Sequence, residues 1–147
     1  MLRYWLSLIV SLAGFYLAMF FSGSQPFQYI SIPSLIIVGL IPLVFVTVLF
    51  GYKNMVLAFS IPAKKETSKE ELILGLHFFK TYGITIWVAG FISVLIAFLS
   101  IMENLGDKAL LGPMLSLMTL SLLYSGILYM VIIIPFTVFI NKKRLNE

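Results

Sequence analysis

The sequence predicts an all-α membrane protein with four transmembrane helices and both termini on the cytoplasmic side. Three observations lead there. Hydrophobic residues make up 61% of the 147 residues and charged residues only 11%, and the mean hydropathy is +1.06. A soluble domain carries about 25% charged residues, so water is not the main solvent of this chain. Two stretches, 81–102 and 109–141, contain no charged residue at all. A hydrocarbon core about 30 Å thick takes roughly 20 helical residues at ~1.5 Å each, so either stretch can cross as a helix. The basic residues supply the third observation. Five lie in 51–80 (Lys53, Lys64, Lys65, Lys69, Lys80), three in the tail (Lys142, Lys143, Arg144) and one at the start (Arg3), against Lys108 alone in the other connections. That asymmetry places both ends and the 51–80 connection inside. By length the whole chain, 1–147, reads as a single membrane domain.

The first helix spans about 2–21, with Tyr4 and Trp5 where an aromatic belt sits. Its apolar run, 4–21, exceeds the roughly 7–15 residues of a secretory signal, so it reads as a membrane span. Gly23 and Pro26, within the run 22–26, should end it. The second helix covers about 32–50. Pro33 suits a first turn, whereas Pro42 in mid-run should kink the helix and free a carbonyl. Thr47 is the nearby hydroxyl.

Residues 51–80 read as a polar cytoplasmic connection. Within it, Ser68 and Glu71 have the spacing of a capping box, which opens a short amphipathic helix with Leu72, Leu76 and Phe79 on one side. That segment leads into the third helix, about 82–101. A loop from Glu103 to Lys108 precedes Gly112-Pro113 and the fourth helix, about 115–140, which is longer than a bilayer requires and carries Pro135 near its charged end.

Several chemistries are excluded. The chain has one histidine and no cysteine, and no Asp or Glu falls inside a span. No base–nucleophile pair, metal cluster or phosphate-binding glycine loop can be assembled, so no enzyme, cofactor or metal site is expected. The net charge of +4 follows membrane topology rather than a nucleic-acid partner. His77 reads as an interfacial side chain, Glu103 and Asp107 as ordinary loop carboxylates, and Lys64, Lys65, Lys69, Glu70 and Glu71 as a solvated face. Two small-residue faces stand out: Gly90, Ser93 and Ala97 at i, i+3, i+7, and Ser121 and Ser125 at i, i+4. Such faces bring helices close together, and their hydroxyls can also line an ion path.

The run Gly90-Phe91-Ile92-Ser93, then Asn104-Leu105, Leu111-Gly112-Pro113, Leu123-Tyr124 and Pro135, resembles the third and fourth helices of the MotA/TolQ/ExbB proton-channel family, most closely its MotA branch. The stretch from Ile32 to Val38 resembles the start of that family's second helix. The resemblance implies a homopentameric ring in the bacterial inner membrane. That ring would surround a dimer of a single-helix partner carrying an aspartate, with proton or sodium flow coupled to mechanical work. It makes Gly90, Ser93, Ala97, Ser121 and Ser125 candidates to face the pore or partner, and Pro113 and Pro135 the helix-shaping prolines. The chain also departs from the family. Val94 and Leu122 stand where threonine is frequent, Trp87 stands at a third-helix proline, and a short connection replaces the large cytoplasmic domain. The alternative is a non-conducting homologue acting as an oligomeric membrane scaffold.

Overall fold

The computed structural model describes residues 2–21, 23, 29–64 and 66–145, with the side chains of 2–5, 7 and 8 left aside. Arg3, Tyr4, Trp5, Lys65 and most of the break expected over 22–26 therefore lie outside the described side chains. Helix α1 is Leu2–Phe21, α2 is Ile32–Phe50, α3 is Tyr52–Ser60, α4 is Lys69–Glu103 and α5 is Lys108–Leu145. Among the described residues there is no strand. Three helices, α2, α4 and α5, are long and apolar enough to cross a membrane, which marks the chain as a membrane protein. The described apolar stretch of α1, Ile9–Phe21, is shorter, and α1 lies against the second half of α5.

The helices that carry the last two apolar runs, expected as the third and fourth, are longer than the sequence predicts. The third begins at Lys69 rather than at 82, because the capping box and the apolar run form one helix of 35 residues, roughly 50 Å long. Glu71 N–H donates to Ser68 Oγ (3.2 Å) and Ser68 N–H to the Glu71 carboxylate (3.3 Å), which fixes that start. No glycine or proline lies between Lys80 and Tyr82, so nothing ends the amphipathic segment before the apolar run. The fourth begins at Lys108 rather than at 115, because Asp107 caps it by accepting from Ala109 N–H (3.0 Å). Its far end reaches Leu145, beyond the expected 140. Pro113 consequently sits inside the helix and does not start it, and the carbonyl it frees, on Ala109, is at an exposed end. The 51–80 connection is correspondingly mostly helical, and only its middle, 61–68, is irregular.

Pro42 and Pro135 are handled in the same way. Each is preceded by one turn of π-helix, Ile36–Leu40 in α2 and Tyr129–Ile133 in α5. Ile41 N–H donates to the Ile36 carbonyl and Ile134 N–H to the Tyr129 carbonyl, five residues back. The wider turn absorbs the proline ring without breaking the helix. Thr47 plays no part in this, since its hydroxyl donates to the Leu43 carbonyl (2.7 Å).

The core gathers at the lysine-rich end. Phe78, Phe79, Ile61, Leu72 and Ile140 are fully buried there, with Phe50, Phe59 and Phe136 packed around them. Phe79 and Phe136 stack at 4.6 Å, which pins α4 to α5 below the seam described next.

Candidate functional site: the seam between α4 and α5

Four of the five small residues singled out in the sequence, Gly90, Ser93, Ser121 and Ser125, meet one another, and Ala97 is buried one turn further along the same face of α4. Ser93 and Ala97 are 1% exposed, and Ser121 and Ser125 are fully buried. Gly90 is buried beside them. Their helical spacing puts them on the facing sides of α4 and α5, so the hairpin closes over them.

Every hydroxyl in this seam is occupied. The Ser93 and Ser121 Oγ atoms stand 2.8 Å apart, and Ser121 donates to the Leu117 carbonyl at 2.7 Å. Ser121 has one proton to give, so Ser93 donates and Ser121 accepts. Ser125 shares its proton between the Ser121 carbonyl (2.9 Å) and the Ile86 carbonyl on α4 (3.4 Å). Gly90 is what lets Ser125 in, because a Cβ there would overlap Ser125 Oγ and stand 3.2 Å from its Cβ. Among the described residues no buried side-chain N or O lacks a hydrogen-bond partner.

Within one chain these residues, expected from the sequence to face a pore or partner, face each other. A proton relay needs an acceptor that can pass the proton onward or a route to water. Here the run of donors stops on a backbone carbonyl of the same polypeptide. The residues serve helix packing, with hydroxyls that are worth more to each other than to hydrocarbon.

What faces outward is apolar. Leu122 is 42% exposed and Val94 half-buried, at the two positions where the resemblance implies threonine. Around them Phe91, Ile92, Leu95, Ile96, Leu99 and Leu115 are exposed. Two exposed hydroxyls interrupt this apolar surface on that part of α5: Thr119, which donates to the Leu115 carbonyl of its own helix (2.9 Å), and Ser116, in the groove beside Pro113. Among the described residues no group of three or more His, Asp or Glu side chains is placed to hold a metal ion.

Two tyrosines carry structural roles that hydropathy alone did not disclose. The Tyr124 hydroxyl donates to the Tyr29 carbonyl and accepts from Ser31 N–H (2.8 Å), tying the start of α2 to α5. Tyr82 donates to the Gly39 carbonyl (3.4 Å), inside the π-turn of α2. Next to it, a Cβ on Gly83 would come within 2.8 Å of the Tyr129 ring, in the π-turn of α5. Both π-turns therefore bear on one level of α4. The signal was present in the sequence, because a phenol inside a span needs a partner for its hydroxyl. Pro113, by contrast, lines a shallow open groove with Ile30, Ser31 and Leu117.

At the polar end, Lys143 Nζ donates to the Lys64 carbonyl (2.8 Å) and to Thr67 Oγ1. Lys64 in turn pairs with Glu71 at 2.9 Å. Glu71 lies in the first turn of α4, ahead of the apolar run. The hydrogen bond from Lys64 holds its carboxyl below the usual carboxylate range. Exposed pairs of this kind contribute little energy, so the contact is a tether between the connection and the end of α5.

No family model, no curated protein and no solved structure matches this chain.

Proposed function

We propose that the chain is a ring-forming subunit of the bacterial cytoplasmic membrane with a MotA-like helix arrangement, and that it acts as an oligomeric scaffold around a single-helix partner. In this reading α1 is a fourth span, both termini and the lysine-rich end are cytoplasmic, and copies assemble as a pentamer. The observation that supports a scaffold over a conductor is the closed seam: Ser93, Ser121 and Ser125 satisfy one another inside one subunit. The surface left for a partner offers hydrocarbon at Val94 and Leu122. An ion cannot exchange its hydration shell for such side chains.

The energy-transducing reading rests on a different observation. The π-turns behind Pro42 and Pro135 meet α4 at Tyr82 and Gly83, which is a site where two helices could flex together. In that reading the partner's aspartate and trapped water carry the proton or sodium ion, and this chain converts the movement into work.

Purification in mild detergent followed by reconstitution distinguishes the two. The scaffold predicts an oligomer of the chain that retains a single-helix partner and leaves proteoliposomes as tight to protons and sodium as protein-free vesicles. Flux that rises with the amount of complex, and vanishes when the partner's aspartate is replaced, would establish the transducer.

A further inference from the structure

Helix α3 lies across the bundle and not along it. Phe50, the last residue of α2, and Phe59, near the end of α3, both meet the ring of Phe78, with centroids 5.6 and 5.9 Å away. The nine residues of α3 span about 13 Å at ~1.5 Å per residue. A helix of that length running beside α4 would carry its far end more than two turns from Phe78. Instead Ile61, the residue after α3, packs its side chain on Gly75, less than one turn of α4 from Phe78. Gly51 makes the corner with φ 85° and ψ 145°, a conformation that L residues rarely adopt. Asn54 Nδ2 donates to the Phe50 carbonyl (2.8 Å), closing the end of α2. A helix whose two ends meet α4 at nearly the same level runs mostly along the plane of the membrane that α4 crosses.

The outer face of α3 is apolar with a cation in its first turn. Tyr52 and Val56, at i and i+4, are 69% and 45% exposed, while Phe59 turns its ring onto Phe78, Phe79 and Phe136. Lys53 is exposed beside Tyr52, and Ala58 is buried on the opposite side. Lys80, also exposed, lies two residues along α4 from Phe78 and so in the same layer. Glu71 and Glu70 lie seven and eight residues before Phe78, about 10 Å further from the span, and do not neutralise that layer. An apolar face in line with the membrane surface, flanked by unneutralised lysines, matches the boundary between acyl chains and anionic headgroups.

We propose that α3 is an interfacial helix seated in the headgroup layer on the lysine-rich side. Tyr52 and Val56 rest on the acyl boundary, and Lys53 and Lys80 bind the phosphates of anionic phospholipid. The inference rests on the membrane reading alone and needs neither the ring nor the partner.

The chain has no cysteine, so a single introduced thiol is a unique probe. The full chain with V56C, nitroxide-labelled, is placed in vesicles of phosphatidylcholine and phosphatidylglycerol. V88C on the exposed face of α4 serves as the lipid reference and E66C in the loop as the water reference. The V56C label is expected to relax more with oxygen than with a water-soluble nickel chelate, at a depth between the two references. If V56C behaves like E66C while V88C reports lipid, the interfacial seat is wrong and the membrane reading stands. Dipolar broadening at V56C would show that a second copy covers the face, which also overturns the proposal. In the unlabelled protein, spin-labelled phosphatidylglycerol should associate in preference to phosphatidylcholine. That preference should fall by about fivefold for each of K53Q and K80Q, as expected for a lysine near an anionic surface. A preference unchanged in the double variant would refute the headgroup assignment.

Discussion

Replacing Gly90 with alanine tests the seam one atom at a time. The new Cβ would overlap Ser125 Oγ and lie 3.2 Å from Ser125 Cβ, closer than ordinary packing allows. The serine hydroxyl must then rotate away from the Ser121 and Ile86 carbonyls, or α5 must shift. Overpacking of this kind costs about 1–3 kcal/mol, and the better helix propensity of alanine returns up to ~1 kcal/mol. The single variant alone therefore reads ambiguously, but the double-mutant cycle does not. Removing the hydroxyl with Ser125→Ala should cost about 0.6 kcal/mol, the typical worth of an interhelical hydrogen bond in a membrane. It also removes the atom that the alanine Cβ strikes. G90A/S125A should then be more stable than the sum of its parts by roughly 1–2 kcal/mol, and the propensity gain cancels in the cycle. Reversible unfolding of the four proteins in mixed detergent micelles, followed by circular dichroism, measures the coupling. Additivity within about 0.5 kcal/mol would refute the claim that these atoms share one space.

Three further outcomes are expected. Gly83→Leu should drive apart α4 and the π-turn of α5, because a Cβ already comes within 2.8 Å of the Tyr129 ring; a loss of about 2 kcal/mol or more in the same unfolding assay would fit an aromatic ring that cannot yield. Lys143→Met removes the bonds to the Lys64 carbonyl and Thr67, so amide hydrogen exchange should quicken through 61–68 while the seam is unchanged. Glu71 has a lowered pKa in the folded chain, so the stabilisation it gives the start of α4 is present above its unfolded pKa and is lost as pH falls through the folded one. Protection at the Glu71 and Leu72 amides, taken relative to the intrinsic exchange rate at each pH, should therefore fall on acidification into and below the carboxylate range, and E71Q should remove that dependence.

The apolar runs were legible in the sequence because charge stops and starts sharply: 81–102 and 109–141 have no charged residue, and hydropathy needs no tertiary knowledge to find them. The capping box at Ser68 and Glu71 was legible for the same reason, being local. What local reading missed were continuities. Asp107 caps α5 six residues before Pro113, so the proline lies inside the second turn and the helix expected from about 115 starts seven residues earlier. Pro42 signalled a kink, but a π-turn is a choice made by packing against Tyr82, a residue forty positions away in sequence. The candidate residues show the same limit. Spacing placed Gly90, Ser93 and Ala97 on one face, and Ser121 and Ser125 on another, without saying what either face meets. They face each other, leaving Val94 and Leu122 for whatever lies outside.

The most direct test of the closed seam uses the oxygen pair at its centre. With Ser93 and Ser121 Oγ atoms 2.8 Å apart, S93C/S121C in the otherwise cysteine-free chain should oxidise to a disulfide within one polypeptide. The S93C single variant, in vesicles, should stay unreacted with a membrane-impermeant cationic thiosulfonate. A disulfide joining two copies, or rapid modification of S93C from the aqueous phase, would place these residues on a shared, water-filled path and contradict the account.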